Sequence, residues 1–284
     1  MDPQLVVNGI ALGSIIALAA VGLTLTYGIL KLSNFAHGDF MTLGAYLTWV
    51  TNQLGVNVWL SMVVGIVGTV GAMLTSEKLL WQPMRRRRAS ATTLIIISIG
   101  LSLFLRNGII FVWGSSNQSY NLPVAEAIDM FGLRVKYSSI IILVVSLVAM
   151  AALHFLLQKT KIGKAMRAVA DDPDLAKVTG INVEQVVLWT WIITGVLTAL
   201  AGGLYGLTAV RPNMGWFLIL SLFAAVILGG IGNPYGAIAG AFVIGIAQEL
   251  SVPIVGSEYK FAITLLVMVL TLLLKPQGLF KGMG

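Results

Sequence analysis

Cysteine is absent from this sequence of 284 residues, and charged residues make up only 10% of it. The absence of cysteine excludes disulfide bonds, thiolate metal sites and cysteine nucleophiles. A soluble globular domain carries about 25% charged residues. With 57% hydrophobic residues, a soluble fold of this length would leave too much apolar surface in water, which a lipid bilayer would cover. The composition therefore predicts an integral membrane protein.

Signatures of enzyme chemistry are also missing. The sequence contains no G-x-x-x-x-G-K-[ST] loop for nucleotide phosphates, no H-E-x-x-H and no G-x-S-x-G. Two histidines and no cysteine offer few metal ligands, and the DDPD run at 171–174 lacks the remainder of an EF-hand loop. We therefore expect no enzymatic activity, no metal site and no cofactor in this chain.

Apolar segments recur along the whole sequence. A helix that crosses a bilayer needs about 20 residues, and three of the segments are shorter than that, so each of these could be tilted, broken or re-entrant. The predicted fold class is all-α: one polytopic membrane domain over residues 1–284, with about 8–10 transmembrane or re-entrant helices. The segments lie at 5–30, 39–53, 58–80, 91–113, 138–157, 185–209, 217–231, 236–252 and 259–274.

The basic residues are distributed unevenly between alternate loops. If the chain starts outside and each segment crosses once, 13 of the 18 Lys and Arg residues lie inside, four lie outside, and Arg106 lies within a span. Inward-facing loops of membrane proteins carry such an excess of Lys and Arg. The distribution predicts an N-terminus outside and a C-terminus inside. The RRRR run at 85–88 is interpreted as a topology anchor, not as a nucleic-acid site.

The longest inward segment, at 158–184, has the pattern of two short helices. Apolar residues from Ile162 to Val169 repeat at helical spacing, with basic residues between them. Asp172 precedes a proline, as an N-cap precedes a proline in the first helical turn. Gly180 is a suitable residue to end the second helix. A folded loop of this kind is suited to docking another protein.

Ionisable residues within or beside the spans are candidate functional groups, because charge at membrane depth usually faces a cavity or a partner. Arg106 and Glu249 both fall toward the outer half of their spans, so we expect them to form an ion pair. The GGIGNPYG run at 229–236 cannot be a regular helix throughout, and it predicts backbone exposed to a pathway.

Four stretches carry a resemblance to a known family. They are residues 8–46, with NFAHG at 34–38 as their sharpest part, KTKIGKAMRAVADDPDLAKVTGIN at 159–182, AAVILGGIGNPYGAIAGAFVIGIAQEL at 224–250, and LLLKPQGLF at 272–280. In this order they resemble the permeases of high-affinity branched-chain amino-acid ABC importers, the LIV-H type. The segment at 159–182 resembles the cytoplasmic coupling segment of that family.

The resemblance implies a permease of the bacterial inner membrane, with a periplasmic N-terminus and a cytoplasmic C-terminus. Its partners would be a second permease, two ATPase subunits that bind the ATP, a periplasmic substrate-binding protein and lipid, but no nucleic acid. The expected substrate is a branched-chain or other neutral amino acid, and urea or short amides are the alternative. Two rival functions need no ATPase: a passive hourglass channel and an ion-coupled secondary transporter. NFA at 34–36 and NPY at 233–235 resemble the paired Asn-Pro-Ala half-helices of such a channel.

The resemblance also implies two groups of site residues. ATPase coupling is expected at Gly163, Ala165, Arg167, Asp171, Asp172 and Gly180. The translocation path is expected at Asn34, His37, Gly38, Asp39, Gly229, Gly230, Gly232 and Asn233. In the expected mechanism, movement of the ATPases levers residues 161–180, and the two broken segments line or gate the path.

Overall fold

A computed structural model describes residues 3–122, 127–130 and 133–280, and these are mostly helical. The helices are α1 (Pro3–Leu30), α2 (His37–Gln53), α3 (Val58–Ser76), α4 (Gln82–Arg86), α5 (Ala91–Trp113), α6 (Tyr137–Lys159), α7 (Lys161–Asp171), α8 (Pro173–Val178), α9 (Val183–Gly206), α10 (Met214–Gly229), α11 (Pro234–Val255) and α12 (Lys260–Leu274). A π-helical turn, Glu77–Trp81, joins α3 to α4, and a 3-10 turn, Ser257–Tyr259, leads into α12. Between α5 and α6 the strands β1 (Ala127–Met130) and β2 (Leu133–Lys136) form an antiparallel hairpin.

Seven helical stretches among the described residues are long and apolar enough to cross a membrane. They are Pro3–Leu30, Val58–Arg86, Ala91–Trp113, Tyr137–Lys159, Val183–Gly206, Pro234–Val255 and Ser257–Leu274. The helices α2 and α10 are shorter, with 17 and 16 residues. Each of the nine predicted apolar segments overlaps one of these nine helices, so the all-α polytopic bundle is confirmed. The hairpin is a small addition in the connection between α5 and α6.

The two ends of the bundle are formed by alternate loops. Lys31, directly after α1, lies with Nζ 3.5 Å from the carbonyl oxygen of Ala170 in α7. In contrast, Gln118, after α5, forms a backbone bridge with Val210, after α9. The long helices therefore run alternately up and down, as the predicted order of crossings requires.

Basic side chains concentrate at one end of the bundle, which we call the basic end. It is formed by residues 31–33, 77–90, 159–182 and 275–280, and it holds 12 Lys and Arg residues. The opposite end holds Arg134, Lys136, Arg211 and Lys260. This is the asymmetry that the sequence predicted, and Lys281 lies outside the described residues.

The centre of the bundle is α1. Every residue from Gly13 to Leu30 except Tyr27 is buried, and α1 packs against α9, α10 and α11. A Cβ atom on Gly13 would lie 3.0 Å from the Cα of Phe242 in α11. Lipid supplies no hydrophobic drive for helix association, so small residues that permit close backbone contact supply the packing energy.

The helices α5 and α12 lie at the periphery. Only 17% of the apolar stretch of α5 and 11% of that of α12 is buried within this chain. Large apolar side chains such as Phe104 and Phe111 are 73% and 91% exposed. Such surfaces at membrane depth contact lipid or another membrane subunit.

Candidate coupling and translocation site

The segment at 158–184 folds into α7 and α8, as the sequence predicted. The Oδ1 atom of Asp172 accepts two backbone N–H groups in the first turn of α8, each at 2.9 Å. Gly180 follows α8 with a φ of +90°, the left-handed conformation that commonly ends a helix. Asn182 then caps α9 by accepting the N–H of Gln185 at 3.0 Å. Local capping chemistry therefore determines the shape of this loop.

Gly163 holds α7 against the end of α6. It is buried together with Met166 and Val169 on the apolar side of α7. A Cβ atom on Gly163 would collide with the carbonyl oxygens of Leu156 and Leu157 in α6. Gly163, one of the predicted coupling residues, therefore determines the position of α7 and does not lie on its exposed side.

The side of α7 and α8 that faces away from the bundle forms an exposed surface, which we call the docking surface. It consists of Lys161, Lys164, Asp171, Asp172, Asp174, Leu175, Lys177 and Val178. Leu175 is 61% exposed and Val178 is 85% exposed, and both lie on the short helix α8. Exposed apolar side chains framed by charges favour a protein contact at this surface, and that role stays a prediction. Of the other predicted coupling residues, Gly180 is exposed, whereas Ala165 and Arg167 are partly buried.

A chain of hydrogen bonds connects α7 to the start of α11. Arg167 in α7 donates to Oε1 of Gln158 in α6 at 3.1 Å. Nε2 of Gln158 donates to the hydroxyl of Tyr235 at 3.1 Å, and Nδ1 of His154 lies 2.8 Å from the same hydroxyl. We call these four residues the basic-end network. Tyr235 lies two residues after the glycine-rich turn at 230–233, so the network connects α7, which carries part of the docking surface, to that turn.

The glycine-rich turn at 230–233 joins α10 to α11 and is held by side chains on both sides. Gly230 and Gly232 have φ values of +103° and +88°, which favour glycine. The N–H of Gly232 donates to Oγ1 of Thr24 in α1 at 2.9 Å. Asn233 caps α11 by accepting two backbone N–H groups, each at 3.1 Å. The predicted break in the helix is therefore present, and hydrogen bonds from Thr24 and Asn233 hold its backbone in place.

The segment after α12 covers the same turn. The N–H of Leu279 donates to the carbonyl oxygen of Leu228 at 2.8 Å. Gly278 has a φ of +78°, and a Cβ atom there would lie 2.5 Å from the backbone nitrogen of Gly230. The LLLKPQGLF stretch thus satisfies carbonyl groups at the end of α10, which would otherwise have no helical partner.

The other broken segment, at 31–36, turns back into the bundle and places the start of α2 at membrane depth. His37 is buried between α1 and α9, with Nε2 2.9 Å from the carbonyl oxygen of Ala19 and 3.1 Å from Oγ1 of Thr198. Oδ1 of Asn34 accepts the backbone N–H two residues later at 3.1 Å. Polar groups inside a membrane protein require such partners, because lipid offers none.

The starts of the two short helices, α2 and α10, meet inside the bundle. Gly38 and Gly215 pack backbone against backbone, and a Cβ atom on either would overlap the carbonyl group of the other. The N–H of Gly215 donates to Oγ1 of Thr42 at 3.0 Å. Because both helices begin here, their partial positive charges lie together at membrane depth.

The predicted path residues lie in the interior of the chain. Seven of the eight are buried, and Asn233 is partly exposed. Both groups pack against α1: His37 lies beside Ala19, and Gly232 beside Thr24. The structure therefore brings the two broken segments to one central helix, and their role in the path stays a prediction.

The predicted ion pair between Arg106 and Glu249 is wrong. Glu249 pairs instead with Lys260, with 2.6 Å between Oε1 and Nζ. This pair lies at the end of the bundle that is farther from the basic end. Arg106 lies over the ring of Trp216 at the start of α10, with Cζ 4.3 Å from the ring centroid. The sequence indicated similar depths for the two residues, but α5 packs against α2 whereas α11 packs against α1, α10 and α12.

Asp39, the buried carboxylate in the first turn of α2, faces α5. It accepts a hydrogen bond from the hydroxyl of Ser102. Arg106 lies one helical turn beyond Ser102 and is close enough for a charge interaction with Asp39. The contact between α2, α5 and α10 thus holds both a negative and a positive group at membrane depth.

The chain is similar in sequence to known proteins. The profile of the family described as "Branched-chain amino acid transport system / permease component" matches residues 5–272. The high-affinity branched-chain amino acid transport system permease protein LivH of Escherichia coli K12 is 31% identical over 97% of this chain and 94% of its own length. LivH of Salmonella typhimurium is 30% identical over the same shares. A probable LivH of Methanocaldococcus jannaschii is 31% identical over 98% of this chain and 92% of its own.

A solved structure shares the fold at lower identity. It is described as PsaBC from Streptococcus pneumoniae in complex with Fab, with a TM-score of 0.54 and 17% identity over 97% of this chain and 92% of that one. At this identity the likeness concerns the fold alone. The match of the family profile over nearly the whole chain, together with relatives of 30% identity and more, shows that this chain belongs to the family of branched-chain amino acid transport system permease components.

Proposed function

We propose that this chain is the transmembrane permease subunit of an ATP-driven importer for branched-chain or other neutral amino acids, in the inner membrane. Support comes from the relatives, whose names describe high-affinity branched-chain amino acid transport. The chain supplies the path, and its partners supply the energy and the substrate. These partners are a second permease, two ATPase subunits and a substrate-binding protein.

The basic end faces the cytoplasm in this proposal. Its excess of Lys and Arg is the reason, because positively charged loops are retained on the cytoplasmic side. The docking surface on α7 and α8 then faces the ATPase subunits. The opposite end, with the N-terminus of α1, faces the periplasm and receives substrate from the binding protein.

The observation that carries the mechanism is the basic-end network. It runs from Arg167 on α7 through Gln158 to Tyr235, which starts α11 beside the glycine-rich turn. When ATP binding moves the ATPase subunits, α7 moves with them and displaces α6 and the turn through these bonds. The turn at 230–233 lies against α1, so its displacement changes packing at the centre of the bundle.

The alternatives receive less support. A passive channel or an ion-coupled transporter would work without ATPase subunits and would need no docking surface. An importer of urea or short amides would share the fold and the ATPases, but the relatives are named for branched-chain amino acids.

Co-purification of the tagged, detergent-solubilised chain from its native membranes tests the proposal. We expect a P-loop ATPase and a second permease to purify with it. The complex, reconstituted in liposomes with its binding protein, should accumulate leucine, isoleucine or valine only when ATP is supplied. A chain that purifies alone and moves solute without ATP would contradict the proposal. Accumulation of urea but not of leucine would show that the substrate is urea and not a branched-chain amino acid.

A further inference from the structure

Arg106 is a charged side chain in the middle of an apolar surface. It lies seven residues before Trp113, the last residue of the membrane-spanning helix α5, and it is partly exposed. A charge at membrane depth normally faces a water-filled cavity or a partner, because contact with lipid is unfavourable. Among the described residues, no carboxylate lies within ion-pair distance of Arg106, and Asp39 interacts with it as a longer-range charge. We therefore expect the exposed part of Arg106 to face a cavity or another subunit and not lipid.

The surroundings of Arg106 fix its orientation. The Trp216 ring lies against one face of the guanidinium, at 4.3 Å from Cζ to the centroid. On the α2 side, one oxygen of the Asp39 carboxylate accepts the hydroxyl of Ser102, and Asp39 also interacts with Arg106 through charge. A guanidinium stacked on an aromatic ring keeps its N–H groups at the edge free to donate in the plane.

A second source of positive charge lies beside Arg106. Trp216 is the third residue of α10, and α10 begins within the bundle where Gly215 meets Gly38. The side chain of Asn213 does not cap this helix start. Discontinuous helices that begin at membrane depth direct their positive ends at anionic groups of substrates. Asp39 offsets part of this positive charge, and the remaining donor groups of Arg106 together with the helix start favour an anion at the same place.

We infer that Arg106, stacked on Trp216 beside the start of α10, binds the α-carboxylate of an amino acid during transport. This site lies in the half of the path that is farther from the basic end. This inference rests on the proposed function and narrows its substrate class. Every amino acid carries the carboxylate that an arginine binds in a bidentate manner, whereas urea and simple amides carry none.

The test uses the assembled importer with its binding protein, in liposomes with ATP inside. Arg106→Gln removes the positive charge. Arg106→Lys keeps the charge but lacks the planar guanidinium that donates two parallel hydrogen bonds, and Asn107→Ala is the matched control. Asn107 is exposed on the same helix, and its side chain donates to the carbonyl group of Leu103 at 2.7 Å. We expect leucine uptake to fall about tenfold or more with Arg106→Gln, to fall less with Arg106→Lys, and to stay at the level of the original protein with Asn107→Ala.

Two further readouts separate a substrate site from a structural or subunit contact. With Arg106→Gln, the amount of assembled complex and the ATPase stimulation by leucine-loaded binding protein should match the original complex. Unchanged uptake with Arg106→Gln would overturn the inference, and so would loss of the second permease during purification, which would make Arg106 an interface residue. Failure of the original complex to transport leucine would instead reject the proposed function.

Discussion

The hydroxyl of Tyr235 shows how one atom connects elements that lie far apart in the sequence. It bonds to Gln158 and His154 in α6, and Gln158 bonds in turn to Arg167 in α7. The aromatic ring of Tyr235 also packs edge-on against His154. Removal of the hydroxyl would break the network while leaving the ring in contact.

Tyr235→Phe should therefore uncouple transport from ATP hydrolysis without preventing assembly. We expect leucine transported per ATP hydrolysed to fall several-fold, because each lost hydrogen bond contributes about 0.5–1.5 kcal/mol. The measurement is uptake and phosphate release in the same liposomes. Tyr259→Phe, at the opposite end and 61% exposed, is the control. An unchanged ratio for Tyr235→Phe would show that the network carries no coupling.

Gly163 provides a second test at the scale of a residue. Gly163→Ala places a methyl group onto the carbonyl oxygens of Leu156 and Leu157, so α7 must shift. We expect a loss of about 1–3 kcal/mol in stability and weaker transport. Gly71→Ala is the control, since nothing lies within 4 Å of a Cβ there. Thermal unfolding of both purified variants checks this, and an equal melting temperature for the two would contradict the packing argument.

The helices α7 and α8 form the element that is predicted to dock the ATPase subunits. Its caps are local, so it can keep its shape while it moves with another protein. Its docking surface presents Leu175 and Val178 to the outside, at 61% and 85% exposure. Exposed apolar groups of this kind are expected to become buried when a partner binds.

Leu175→Glu should weaken ATPase binding and leave the permease folded. The side chain is already exposed, so the substitution removes little internal packing, but a charge at the centre of an interface is unfavourable. We expect less ATPase to co-purify and an unchanged melting temperature of the isolated permease. Leu54→Glu, 79% exposed at the opposite end, is the control. If both variants retain the ATPase equally, the docking surface lies elsewhere.

The π-helical turn between α3 and α4 shows what the sequence could not assign. Glu77, a charged residue in this turn, is buried and accepts the indole N–H of Trp191 at 2.7 Å. It also forms an ion pair with Arg85, the first residue of the RRRR run. This arginine therefore stabilises the junction of α3 and α9, while the arginines after it remain available as topology anchors.

The whole molecule is organised by the contrast between its two ends. Twelve described Lys and Arg residues lie at the basic end and four at the opposite end. Because cysteine is absent, single cysteines can be introduced without removing any native thiol.

Labelling with a membrane-impermeant maleimide tests the orientation. Ser115 lies exposed between α5 and β1 at the opposite end, and Lys164 lies exposed on α7 at the basic end. Ser115→Cys should react in cells whose outer membrane is made permeable, whereas Lys164→Cys should react only after the inner membrane is broken. The unsubstituted chain is the control. The reverse pattern would invert the proposed topology.

The sequence by itself determined the class of the protein and the position of its elements. The composition predicted a membrane protein, and the apolar segments predicted the nine main helices. Asp172 and Gly180 predicted the two ends of α8. These features could be predicted because they depend on solvent and on near neighbours in the chain. The same local signals located the break at 229–236.

Only the tertiary structure decided which distant groups meet. The partners of Arg106 and Glu249, the burial of His37 and Asp39, and the bonds of Tyr235 to Gln158 and His154 join residues that are far apart in the sequence. In a membrane, every long helix is apolar, so hydrophobic pattern does not specify its neighbours. Close contacts such as Gly38 with Gly215 do, and their geometry exists only once the helices have packed.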